Sequence, residues 1–139
     1  MIVQGQTTIF KQNLLSGLEN FATGTTQVYR IALYTANAEL NAATLVYTTL
    51  NEVVGTGYVA GGNVLTPIVP ASSGSTAYVS FNNAIWLASS FLCRGALIYN
   101  DTTNAAVAVL DFGSDKTASG TFTVTFPTAT ATTAVIRIS

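Results

Sequence analysis

The chain has 139 residues, and only 8% are charged: five Lys and Arg, six Asp and Glu, and no His. Ordinary soluble domains carry roughly 25% charged residues. A net charge of −1 supplies no field to draw in nucleic acid or an anionic membrane. The missing histidine removes His-based triads, Cys–His dyads and imidazole acid–base catalysis.

The length fits a single domain over 1–139, large enough to bury a core without metals or disulfides. Cys93 is the only cysteine, so no intrachain disulfide forms. The start, Met-Ile-Val-Gln-Gly-Gln, has neither a basic segment nor an apolar run, which predicts a product made in the cytoplasm. No apolar stretch reaches the roughly 18 residues of a spanning helix.

Taken in chain order, the first element is a helix over about 7–21. Ile9, Phe10, Leu14, Leu15, Leu18 and Phe21 recur at helical spacing, Thr7 or Thr8 caps the start, and Gly24 ends it. Its one apolar face must dock, on its own sheet or on a neighbour. The period then changes to two. Gln27 to Thr35 reads as a strand with Tyr29, Ile31 and Leu33 on one face and Arg30 and Ala32 on the other. Asn37 to Asn51 is mixed, with room for a short helical turn. Val53 to Gly62 holds four glycines and reads as a loop or bulged edge.

Short strands follow. Val64 to Val69 is stopped by Pro70. Ala77, Val79 and Phe81 alternate with polar neighbours, and Ile85 to Leu87 is brief. Arg94 to Tyr99 and Ala105 to Phe112 form a hairpin around Asn-Asp-Thr-Thr-Asn. Gly113 to Lys116 reads as a turn with Asp115 as its acceptor. Phe122, Val124 and Phe126 then alternate with threonines, and Ala134, Ile136 and Ile138 close the chain. Seven or eight short strands after one helix predict a mainly β domain, an antiparallel sandwich or jelly roll.

The motifs that suggest chemistry fail on context. Gly55-Thr-Gly57-Tyr-Val-Ala60 spells a dinucleotide fingerprint, but no helix follows and no acid stands about 20 residues on. Asp111-Phe-Gly113 lacks every other kinase element. Asp111 and Asp115 are candidates to share a cation, although carboxylates are scarce for calcium. Asp111 with Asp101 or Glu52 is the conceivable glycosidase pair. Asn100-Asp101-Thr102 matches a glycosylation sequon. Trp86, Tyr58 and Tyr78 are candidates for a sugar platform, against core packing. The reading is a non-enzyme without metal or cofactor.

Arg30 and Arg94 stand inside strands, where an unpaired charge is costly. Each needs an acid or a partner, and Asp111 is the candidate mate of Arg94. A surface of Thr, Ser, Asn and Ala loses few hydrated ions on burial, which favours a subunit packed among others. The candidate interface residues are Phe10, Leu14, Leu18, Phe21, Arg30 and Arg94.

From Tyr29-Arg-Ile-Ala-Leu-Tyr-Thr35 onward the chain resembles a group of tailed-bacteriophage virion proteins. The resemblance continues through Asn51-Glu-Val-Val-Gly-Thr-Gly-Tyr-Val-Ala-Gly-Gly62, Arg94-Gly-Ala-Leu-Ile-Tyr-Asn100, Ala106-Val-Ala-Val-Leu-Asp-Phe-Gly-Ser-Asp-Lys-Thr117 and Gly120-Thr-Phe-Thr-Val-Thr-Phe-Pro127. Phe10-Lys-Gln-Asn-Leu-Leu15 is similar too. It implies a structural protein of the virion, partnered by itself and by proteins such as the major capsid protein. Nucleic acid and membrane are not among the expected partners. A capsid decoration (cement) protein is the leading expectation. A tail, collar or fibre part, with a glycan-binding module near Gly55 to Gly62, is the alternative.

Overall fold

A computed structural model describes residues 1–139. The order is β1 (Gly5–Gln6), α1 (Thr8–Leu15), β2 (Tyr29–Tyr34), β3 (Asn63–Leu65), β4 (Ala71–Ser73), β5 (Thr76–Val79), β6 (Ala84–Asn100), β7 (Ala105–Val124) and β8 (Ile136–Ile138). They form a five-stranded sheet, β1-β7-β6-β2-β3, and a three-stranded sheet, β4-β5-β8. Every strand pairing is antiparallel. The chain is mainly β with one short N-terminal helix, and of the two expected arrangements it takes the sandwich. No helix is long and apolar enough to cross a membrane.

The helix is shorter than its apolar spacing predicts. Thr7 is the cap, its Oγ1 accepting from the Phe10 N–H at 3.2 Å. The same hydroxyl lies within hydrogen-bond distance of the main-chain oxygens of Ala106 and Val107, tying the helix start to β7. The end comes at Gly17, with φ of 73°. Leu18 N–H reaches Asn13 O at 2.9 Å and Gly17 N–H reaches Leu14 O at 3.2 Å. That pair of bonds is the Schellman ending, which needs a left-handed residue that glycine supplies. Leu18 and Phe21 therefore lie beyond the helix.

β2 runs between β6 and β3 with both faces covered. Tyr29, Ile31 and Leu33 enter the main core between the sheets, with Phe10, Phe81, Trp86, Val79 and Ile136. Ala32 and Tyr34 enter a second core on the opposite face, with Ile2, Leu40, Leu97 and Val109. The mixed segment 37–51 forms turns and single bridges rather than a helical turn, and Ala38 and Leu40 cover that face.

The sequence suggested separate strands at 85–87, 94–99, 105–112 and 122–126. Most of these merge into one long hairpin, β6 with β7, turning through Asp101–Asn104. In place of the expected strand-joining turn at Gly113 to Lys116, β7 continues through a bulge, with residues 112–115 opposite Arg94 alone. Glycines and small residues that read as strand ends are absorbed as irregularities. The register shifts between Trp86 and Ser89, between Cys93 and Gly95 and between Ile98 and Tyr99. Ala88, Gly113 and Gly120 take positive φ, as bulges in a long twisted pair require. Asp115 accepts no turn bond, whereas Asp111 Oδ1 accepts the Gly113 N–H at 2.9 Å. The strand expected over Val64 to Val69 shortens to Asn63–Leu65.

Candidate interaction surface and the groups that hold it

The scarce charges are mostly consumed inside the molecule. Arg30 Nε meets Asp101 Oδ2 at 2.9 Å, and Arg94 Nε meets Asp111 Oδ1 at 3.3 Å, both partly exposed. The Arg94–Asp111 pair joins β6 to β7, as the hairpin reading anticipated. Arg94 and the Gly113 N–H, the latter first, hold the Asp111 carboxyl below its ordinary range. Glu39 pairs with the N-terminal amine at 2.5 Å.

Two carboxylates are buried. Glu52 accepts from Tyr58 OH at 2.6 Å, Tyr47 OH at 2.6 Å and Gly61 N–H at 2.8 Å. Tyr58 OH in turn accepts from Leu33 N–H at 2.9 Å. Tyr99 OH donates to Gly61 O at 2.7 Å and stacks on Tyr47. This network fastens the glycine loop to β2. Burial, then the bond to Glu52, pushes the Tyr58 hydroxyl far above its ordinary value.

Glu19 Oε2 accepts from Tyr29 OH at 2.8 Å and from Asn100 Nδ2 at 3.1 Å. Its Oε1 is buried without a partner. Loss of water raises its pKa above the ordinary 4.5, and the bonds from Tyr29 and Asn100 partly offset the rise. Asn100 is fully buried, which closes the glycosylation sequon in the folded chain. Cys93 is likewise buried, and burial pushes its thiol up to about 12. A thiol held neutral is a poor nucleophile.

The chemical pairings considered from sequence come apart in space. Asp111 is taken up by Arg94 and the Gly113 N–H, and no group of three or more candidate ligands gathers around it and Asp115. Glu52 is enclosed by tyrosines, and Asp101 and Asp111 face their own arginines, so no two of these carboxylates flank a cleft. Tyr58 is buried and held by Glu52, and Trp86 is 3% exposed within the core. The aromatic platform expected near Gly55 to Gly62 is therefore not present on the surface. Every strongly exposed large hydrophobic residue is aliphatic or Met1.

The expected interface residues separate as well. Phe10 is wholly buried, and Phe21 stacks on Tyr29 with ring centres 4.4 Å apart. Leu14 is half-buried, beside Phe10 and Phe21 at a small apolar cavity of about 150 Å³. The helix face thus packs on this chain's own core: Phe10, expected as a partner contact, lies inside it, and Phe21 packs against it while partly exposed. Leu18 alone among the four is well exposed, at 51%. Arg30 and Arg94 are occupied by internal acids.

Sequence reasoning missed the exposed apolar strip on β6. Ile85, Leu87 and Leu92 stand outward, 49%, 69% and 50% exposed, while Trp86, Phe91 and Cys93 point into the core. Across from Ile85 and Leu92 lie Thr123 and Thr117 of β7, also exposed. The signal was present: from Ile85 to Leu92 apolar residues occupy both parities of the strand, and the bulge at Ala88 switches the inward parity from Trp86 to Phe91 and Cys93. Comparison with protein-family models, curated proteins and solved structures returned no match.

Proposed function

We propose that the chain is a structural subunit of a tailed-bacteriophage particle, working by packing rather than by chemistry. The observation that supports this most is the outward β6 strip of Ile85, Leu87 and Leu92 flanked by threonines, on a protein with 8% charged residues. Covering such a surface removes apolar area from water and strips few ions of hydration. Each Å² of apolar area contributes roughly 25 cal/mol before ordering costs are subtracted. A charge-poor exterior is poorly suited to a free monomer, which relies on mixed surface charge for solubility.

Within the particle, a capsid decoration role fits best: the domain lies on the shell and bridges adjacent major capsid subunits. The internal ion pairs and the two buried carboxylate networks keep the sandwich rigid, so little ordering is needed on docking. A tail or collar component is the alternative arrangement of the same packing. Quantitative gel analysis of purified particles separates them. A decoration protein is present in proportion to the shell lattice, whereas a tail part gives a handful of copies. A chain absent from purified particles would refute both.

A further inference from the structure

Two sheet edges face each other with little between them. β1 ends the large sheet and β8 ends the small one. They are joined by a side chain: Gln6 Nε2 donates to the main-chain oxygen of Arg137 at 3.2 Å. In an extended strand the N–H and C=O of one residue point to the same side. The Arg137 N–H therefore faces this gap as well. A glutamine stands where another strand's main chain would pair.

The gap opens into a groove of about 620 Å³ between α1 and β8, lined by Gln6, Lys11, Leu14, Leu15, Arg137 and Ile138. Leu15 is 92% exposed and Ile138 52%. Lys11 and Arg137 are two of the three basic side chains outside the ion pairs. The third, Lys116, lies away on β7. The Arg137 guanidinium donates to Thr132 O at 2.8 Å and meets no carboxylate. Ser139 also lines the groove.

We propose that this groove takes an extended, carboxylate-bearing peptide segment of a neighbouring protein, added as a strand along β8. The identity of the neighbour as a particle subunit rests on the function proposed above; the chemistry of recognition does not. Main-chain groups of the segment displace the Gln6 amide from the Arg137 oxygen and complete the β8 edge. Its carboxylates meet Lys11 and Arg137, and its apolar side chains cover Leu14, Leu15 and Ile138. A nucleic acid brings anions but no strand-forming main chain. A second copy of this chain is less suited, because Asp115 is its one acidic side chain neither buried nor ion-paired, and it stands beside Lys116.

The test is an NMR titration of the full chain with a blocked peptide of about ten residues, long enough for one strand. The peptide alternates threonine and valine with glutamate, and its control carries glutamine at each glutamate. The glutamate peptide should shift the amides of Gln6, Lys11 and Ile136 to Ile138, and the glutamine control should bind about fivefold to tenfold more weakly, as two lost exposed ion pairs imply. A folded Lys11→Gln, Arg137→Gln double variant should lose the preference for glutamate. Equal binding of the two peptides, shifts elsewhere on the surface, or no shifts at all would overturn the proposal. So would concentration-dependent shifts at these residues without peptide, which would place a second copy in the groove. Particle incorporation plays no part in this readout, so its failure and the failure of the particle reading are distinguishable.

Discussion

Glu19 carries a buried carboxylate with one oxygen bonded and the other without a partner. Its pKa is raised in the folded chain, so the native state binds this proton more tightly than the unfolded state does. Its contribution to stability is therefore most favourable below the ordinary value of 4.5 and is lost as pH rises through the folded value. Glu19→Gln keeps an acceptor for Tyr29 and Asn100 and removes the titration. Denaturant midpoints should show the native chain losing stability relative to this variant as pH rises from 4 towards neutrality; a constant difference would contradict the assignment. Ala88 offers a second test. It holds φ of 48° at a bulge in β6, a region costing about 1–2 kcal/mol for a residue with a Cβ. Ala88→Gly relieves that strain against an entropy loss of about 0.5–1 kcal/mol, so a gain of roughly 0.5 kcal/mol is expected in chemical denaturation. The reverse holds at Gly62, with φ of 73°, where an added Cβ would overlap the Ile31 main-chain oxygen. Gly62→Ala should cost more than about 3 kcal/mol by thermal melting.

At the scale of elements, the helix shows how spacing informs and misleads. Thr7 and the run from Phe10 to Leu14 announce its start, and their apolar face does seal a core. Leu18 and Phe21 continue the spacing by chance, because Gly17 supplies the left-handed ending first. Leu14→Asp places a carboxylate beside Phe10 and Phe21 and should destabilise by about 2–4 kcal/mol. Leu18→Asp, outside the helix and exposed, should stay within about 0.5 kcal/mol of the native chain. Equal losses for the two would mean that the helix extends as its spacing suggests. The strands were legible where alternation was clean, as at Tyr29 to Leu33, and the Asn100–Asn104 hairpin and the Arg94–Asp111 pair followed from local chemistry. The length of β6 and β7 was not legible, because bulges and turns draw on the same residues: Gly113 and Gly120 look alike in sequence whether a strand ends or merely kinks. The buried placements of Glu19 and Glu52 were hidden too. Their partners come from distant positions, Asn100 for one and the Tyr47–Gly61 region for the other, and only the assembled sheets bring them together.

For the whole molecule, the scarcity of charge and the placement of apolar side chains act together. Most charged groups hold strands, loops or the N-terminus, and Lys11, Asp115, Lys116 and Arg137 remain on a surface rich in aliphatic residues, threonine and serine. The β6 strip of Ile85, Leu87 and Leu92 lies on the surface without a structural task in the isolated chain. In the proposed particle role, this strip is the surface that a neighbour covers. The groove at Lys11 and Arg137 adds a second, more specific contact on another part of the surface. The most direct measurement is incorporation of a Leu87→Lys, Leu92→Lys variant into particles, alongside its melting temperature. Both side chains point outward, so the melting temperature should stay close to that of the native chain while incorporation collapses. A variant that enters particles at the full native copy number would contradict the claim that this strip is a packing surface.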